Sequence, residues 1–260
     1  VAVTIFPLYD VVRRVAGDRL PVHLVLPAGQ DHHSFDPRPQ DAAALADASL
    51  VFAVGLGLDD WIQRIAKSTG AGSARIFEVG PLLDPMLAPG AGTIDSHFWL
   101  DPVRMQRAAD VIVDALKSLD PEEGPFYRQR GDEVKRSFHE LHQSIAQRAP
   151  LWTKRRIVTF HGSLAYFAAR YDLEVVAVVE PVPGQEPTAR HLAEVVETIR
   201  KTGAAALFSE PQLDPRPARV LAAETGLPVF ELDPQGGSPT TDSYEKLMRQ
   251  IADVMDKALK

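Results

Sequence analysis

Residues 121–150 read PEEGPFYRQRGDEVKRSFHELHQSIAQRAP, and the fold is decided here. The stretch holds no candidate strand. Val134, Phe138, Leu141 and Ile145 recur at steps of four, three and four, with Phe126 upstream, which is the spacing of one helical face. Pro150 stops the pattern. One long helix is expected, with Gly131 as the point where it could break.

On both sides of this helix, short apolar runs alternate with helical patterns, the signature of an α/β architecture. Before it, strands are expected at Ala2–Phe6, Val22–Leu26, Leu50–Val54 and Arg75–Val79, with helices at Pro39–Ala48, Asp59–Lys67 and from Asp101-Pro102 to about Leu119. After it, strands are expected at Arg156–Phe160, Glu174–Val178, Ala205–Ser209 and Val229–Leu232. Helices are expected at Gly162–Arg170, Thr188–Thr202, Pro215–Thr225 and Asp242–Leu259, with Thr188 and Asp242 as N-caps. The fold class is therefore α/β: two four-stranded, mostly parallel lobes joined by one long linking helix. The lobes are expected at 1–120 and 150–260, with the linker at 121–149. Pro81 to Thr93, rich in Pro and Gly, reads as a flexible loop.

Composition narrows the function classes. The 260 residues include no cysteine, which removes thiolate zinc sites, iron–sulfur clusters, disulfides and thiol nucleophiles. The net charge of -7, without a basic run, argues against nucleic-acid binding. The longest apolar stretch, near Leu50 to Leu58, is far short of the roughly 20 residues that span a bilayer. The start at Val1, within an apolar segment, reads as a mature or trimmed chain.

The candidate ligands are picked out by position. His33 follows the second expected strand, His97 the fourth, His161 the fifth and Asp233 the eighth. Each falls just past the carboxyl end of a strand, the edge where open parallel sheets bind ligands. Two come from each lobe, so the cleft between lobes is where they could meet. Three imidazoles and one carboxylate make a tetrahedral set for Zn²⁺, whereas Mg²⁺ and Ca²⁺ prefer oxygen alone. Taken singly, each has a plainer reading: a hydrogen-bonding surface histidine, or for Asp233 before Pro234 a turn residue. His32 reads as a neighbour of His33. His139 and His142, three apart on a helix, could make a weak surface site.

At these residues the sequence resembles the zinc- and manganese-type solute-binding proteins of bacterial ABC importers, known as cluster A-I, along nearly the whole chain. Pro27 to Pro37 resembles the first metal motif, in which the histidine before Ser-Phe-acid-Pro is the ligand, so the likeness selects His33 over His32; Asp36 stands where Glu is more usual. Asp95-Ser96-His97-Phe98-Trp99-Leu100-Asp101-Pro102, Phe160-His161-Gly162-Ser163 and Leu232-Asp233-Pro234 resemble the second, third and fourth motifs. Gly55 to Trp61, Pro183 to Pro187 and Phe208 to Gln212 agree as well. The resemblance implies a metal site of His33, His97, His161 and Asp233 in the interlobe cleft, delivery to an ABC permease and a periplasmic location, or the extracellular face of the cytoplasmic membrane if a lipid anchor was removed. It also implies small lobe motions, because a helix is a stiff hinge. His161 at the third position, where manganese-type members carry Glu, implies Zn²⁺ as the transported ligand, with Mn²⁺ as the alternative. The loop before the second motif is short and lacks the histidines that zinc-type members often carry there.

A monomeric binding protein without enzymatic activity is therefore expected. Proton competition is expected as pH falls through the ordinary histidine value near 6.5. Glu210 and Glu180, at strand ends, are candidates for orienting the imidazoles. A zinc hydrolase would need an open water position and a base. A dinucleotide enzyme would need a third glycine where Asp60 stands after Gly55-Leu56-Gly57. An adhesive role would follow from some surface-anchored relatives alone.

Overall fold

The computed structural model describes residues 1–33, 35, 45, 47–68, 75–89, 92–182 and 184–260. Among these residues are two four-stranded sheets, and every strand pairing within them is parallel. The first contains β1 (Ala2–Val3), β2 (His23–Leu24), β3 (Leu50–Ala53) and β4 (Arg75–Glu78), in the order β2-β1-β3-β4. The second contains β5 (Arg156–His161), β6 (Glu174–Glu180), β7 (Leu207–Ser209) and β8 (Val229–Glu231), in the order β6-β5-β7-β8. The two lobes thus repeat one topology. The run Leu50–Ala53 is buried at all four positions, as expected of a parallel strand covered on both faces.

Several element bounds differ from the expected ones. β1 stops at Val3 because the chain turns into helix α1 (Phe6–Ala16), where Pro7 in the first turn has the fixed φ a helix start wants. Helix α2 spans Trp61–Ser68, and the expected helix at Pro39–Ala48 lies outside the described residues but for three positions. Helix α3 (Pro102–Leu119) begins where expected: Asp101 accepts the Val103 N–H at 2.9 Å as N-cap, and Pro102 opens the helix. The expected helix at Gly162–Arg170 is a 3₁₀ turn, Gly162–Leu164, followed by α5 (Ala165–Arg170). Helices α6 (Ala189–Thr202) and α7 (Arg216–Thr225) follow, α6 capped by Thr188. The last helix, α8, runs Tyr244–Leu259 and is capped by Ser243, because the Asp242 carboxylate is paired with Lys246 instead.

The linking helix, α4, covers Gly124–Arg148 and runs unbroken through Gly131. Gly131 is there for space: a Cβ at this position would lie 2.4 Å from Val113 Cγ2 of α3. The missing side chain lets the two helices approach closely, which outweighs the poor helix propensity of glycine. Tyr127, Val134, Phe138, Leu141 and Ile145 form the buried stripe of α4. Helix α8 returns from the second sheet to pack along α4 and α1, where Tyr244 N donates to the buried carboxylate of Asp10 and Glu245 pairs with Arg14.

One apolar cluster runs through both lobes, from Val3 and Phe52 to Phe167, Phe208 and Met248; a second fills the space between the far face of the second sheet and helices α6 and α7. Polar bonds also cross between lobes. Arg170 of α5 grips Asp101 through two bonds of 2.8 and 2.7 Å, and Asp101 is 2% exposed. The Tyr166 hydroxyl donates to the Asp95 carbonyl and accepts the Met86 N–H.

The Gly55-Leu56-Gly57 turn has positive φ at all three residues, which suits glycine at its two ends. The amides at its entrance are taken by the chain itself. Asp59, 1% exposed, accepts from Val54 N, Gly55 N and Thr4 Oγ1 at 2.7, 2.8 and 2.6 Å. A carboxylate already fills the place a pyrophosphate would need, so this turn is a structural clasp.

Candidate metal centre

His161 is the last residue of β5, at the point of the second sheet where the strand order reverses. His33 and His97 lie in loops beyond the carboxyl ends of β2 and β4. The three rings meet: centroids are 4.8 Å apart for His33 and His161, 5.0 Å for His97 and His161, and 5.5 Å for His33 and His97. The Nε2 atoms of His33 and His161 face each other at 3.1 Å. Two nitrogens bound to one zinc at about 2.0–2.1 Å with tetrahedral angles are roughly 3.3–3.4 Å apart. The imidazoles of the two lobes are therefore near the spacing one ion would impose. They line a cavity of about 210 Å³ shared with Asp95, Gly162 and Pro181.

The loops that carry His33 and His97 use the same local device. Asp95 Oδ1 accepts the backbone N–H of His97 at 2.8 Å, and Asp31 Oδ1 accepts that of His33 at 2.9 Å. A carboxylate two residues ahead fixes the turn that presents each ring. Asp95 does more, because its Oδ1 also sits 2.7 Å from His97 Nδ1. The proton is then on Nδ1, and the Nε2 lone pair points into the cavity, the arrangement that orients metal-bound histidines. In the sequence the signal for this role is the Asp-x-His spacing of Asp95 and His97 within the second motif. The carboxylates of Glu210 and Glu180 are engaged elsewhere. Glu210 accepts from Ser163 Oγ at 2.6 Å and Glu180 from Gly184 N at 2.7 Å, so both carboxylates are taken by partners other than the imidazoles.

Asp233 lies past β8 in a turn that the opposite lobe holds, since Trp99 Nε1 donates to the Pro234 carbonyl at 2.8 Å. Its Oδ1 accepts from Gln212 Nε2 at 2.8 Å and from Gln235 N at 2.9 Å. His32 is more than a neighbour. It is 1% exposed, and its Nε2 stands 3.3 Å from His97 Nε2. His32, His33 and His97 each offer a ligand atom within 4.8 Å of the others. His139 and His142 do not make a pair: the first bonds Gln143, the second Tyr171.

Burial lowers the pKa of His97 and His161, and burial plus mutual repulsion lowers those of His32 and His33. The imidazoles are accordingly neutral and able to donate lone pairs, and proton competition moves below the ordinary histidine range. Burial pushes the Asp95 carboxyl up to about 7 and Glu210 up to about 8, the latter aided by the charges of Asp233, Asp31 and Glu180. These acids around a cluster of neutral nitrogens favour a cation. Asp95 Oδ2 and His161 Nδ1 are buried without partners. Imidazole nitrogen with carboxylate oxygen is a donor set for zinc and other divalent transition ions.

The chain is similar to known metal-uptake proteins. A family model described as zinc-uptake complex component A, periplasmic, matches residues 1–258. The manganese-binding lipoprotein MntA of Halalkalibacterium halodurans is 26% identical over 224 residues, covering 85% of this chain and 74% of its own. The high-affinity zinc uptake system protein ZnuA of Bacillus subtilis is 24% identical over 277 residues, covering 100% and 87%. A solved structure of a ZnuA deletion mutant with zinc bound has a TM-score of 0.88 at 27% identity, covering 100% of this chain and 97% of the other.

Proposed function

The chain belongs to the family of periplasmic zinc-uptake component A proteins, and on that premise we propose that it captures a divalent transition metal outside the cytoplasm and hands it to the permease of an ABC-type importer. The family and the relatives above are transport components, not enzymes. The ligands in this proposal are His33, His97, His161 and Asp233, with Zn²⁺ as the cargo and Mn²⁺ as the alternative. It takes residues 1–120 and 150–260 as the lobes, residues 121–149 as their linker, and the protein as a monomer that binds no nucleic acid.

The observation that carries this reading is the convergence of His33, His97 and His161 from both lobes around one cavity. Three neutral imidazoles and one carboxylate leave the bound ion with a net charge of about +1. Four protein donors close the site, whereas catalysis would need a water position. The imidazole-rich set favours zinc over manganese, which takes more oxygen. The shared apolar core and the Arg170–Asp101 grip support small motions of the ligand loops instead of wide lobe opening.

The test is a competition titration of chelator-stripped protein with Zn²⁺ and Mn²⁺ at neutral pH, beside His161→Ala. Tight one-to-one zinc binding that the variant loses is expected. Preference for manganese would keep the importer reading and change the cargo. Binding of neither ion would overturn the proposal.

A further inference from the structure

We propose that His32 is an additional metal ligand, forming with His33 and His97 a receiving site within the N-terminal lobe, where an incoming divalent ion lands before His161 and Asp233 enclose it. This rests on the metal-capture reading above and extends it to the route of entry.

Three observations carry it. The His32 Nε2 to His97 Nε2 distance of 3.3 Å equals, within its precision, the edge of roughly 3.3–3.4 Å that two nitrogens share on a tetrahedral zinc. The ligand atoms of His32, His33 and His97 all fall within 4.8 Å of one another, so small ring movements would bring all three onto one ion. The third observation is what His32 lacks. A histidine that merely filled the core would have both nitrogens satisfied. This one meets another imidazole nitrogen on one side, while its buried Nδ1 has no acceptor from the carboxamide of Gln235 as that group is oriented.

Beside His32 lies the side chain of Gln235, whose own Nε2 is likewise buried and unpartnered. A half-turn of that carboxamide would offer its oxygen to an Nδ1–H of His32. The proton would then stay on Nδ1 and leave the Nε2 lone pair for the metal, as Asp95 does for His97. Gln235 sits two residues past Asp233, so the segment that supplies the final carboxylate also touches the receiving site.

The receiving set has three neutral donors and no carboxylate. An ion held there keeps its full charge and at least one water, so it is bound more weakly than in the complete site. Replacing the His32 nitrogen and the water by the His161 nitrogen and the Asp233 carboxylate lowers the net charge and closes the shell. The exchange is a substitution of ligands, without redox change.

The test uses the full chain, with Co²⁺ read by its visible absorption and Zn²⁺ by competition. His161→Ala/Asp233→Ala, confirmed as folded by thermal melting, should still bind one ion, more weakly than the parent. Adding His32→Asn should weaken that residual binding by about tenfold or more. Independently, His32→Asn in the otherwise intact protein should slow zinc association in stopped flow by about tenfold. A double variant that binds nothing, a triple variant equal to the double, or an unchanged association rate would overturn the proposal while leaving metal capture intact. Failure of the parent protein to bind either ion would instead remove the reading on which it rests.

Discussion

Asp95→Asn separates binding from stability. In the parent, one carboxylate oxygen takes two hydrogen bonds, from His97 Nδ1 at 2.7 Å and from His97 N at 2.8 Å, while the other is buried with no partner. Asparagine keeps an oxygen for the first pair and puts a neutral amine where the unpartnered oxygen stood. It removes the negative charge that makes the His97 imidazole a stronger donor. Loss of such an orienting carboxylate costs about 10–100-fold in metal affinity, which is about 1.4–2.7 kcal/mol. The apo protein should gain stability or keep it, because a neutral amide is cheaper to bury than an unpaired carboxylate. Competition titration with a chelator of known affinity reads the first quantity, and urea unfolding of stripped protein reads the second. Parental affinity in the folded variant, or a parallel loss of affinity and stability, would refute the assignment of Asp95 as the residue that aims His97.

Arg170→Ala strips the buried Asp101 of two charged bonds and leaves it Arg104 at 3.5 Å, so unfolding free energy should drop by about 2–4 kcal/mol in urea; no drop would mean that Arg104 fully replaces it. Gly131→Ala drives a Cβ to 2.4 Å from Val113 and should cost about 1–3 kcal/mol, seen as a lower melting temperature that Gly131→Ala/Val113→Ala partly restores. Burial holds Glu210 at about 8 against an ordinary 4.5, so between these values the folded chain binds more protons than the unfolded one, and metal-free stability falls as pH rises through that window. Glu210→Gln should flatten this decline, which is at most about 1.4 kcal/mol per pH unit; melts at about pH 5 and about pH 8 that keep the parental difference would count against it.

The architecture was legible because it rests on periodicity. The helical stripe of Val134, Phe138, Leu141 and Ile145 and the short apolar runs on either side needed no knowledge of packing to be recognised. Gly131 misled for the complementary reason: propensity describes an isolated helix, and Val113 on the neighbouring helix is visible only in three dimensions. Strand lengths ran over or under by a residue or three, since pairing partners set the ends. At the site, the strand-edge positions of His33, His97 and His161 anticipated their meeting. In the sequence His32 reads only as a neighbour of His33, because the motif likeness selects His33, and only the loop conformation brings the two rings to 4.3 Å between centroids. Glu210 and Glu180 have the right charge near the right strands, but hydrogen-bond direction decides what a carboxylate orients. Theirs go to Ser163 and Gly184.

Asp10 sits on the first helix with its side chain wholly excluded from water, and one of its oxygens takes the Tyr244 N–H, a partner 234 positions further along. Arg13 and Arg14, its helical neighbours, can meet part of its charge early. The backbone donor cannot arrive until almost the whole polypeptide has been made. A chain emerging from its amino end therefore carries an unfinished first helix through most of its synthesis. Completion of the first helix waits for the last one, and the loop that must close between them spans 234 positions. Such long-range closure makes for slow folding, and it ties the integrity of the first lobe to the presence of the last helix.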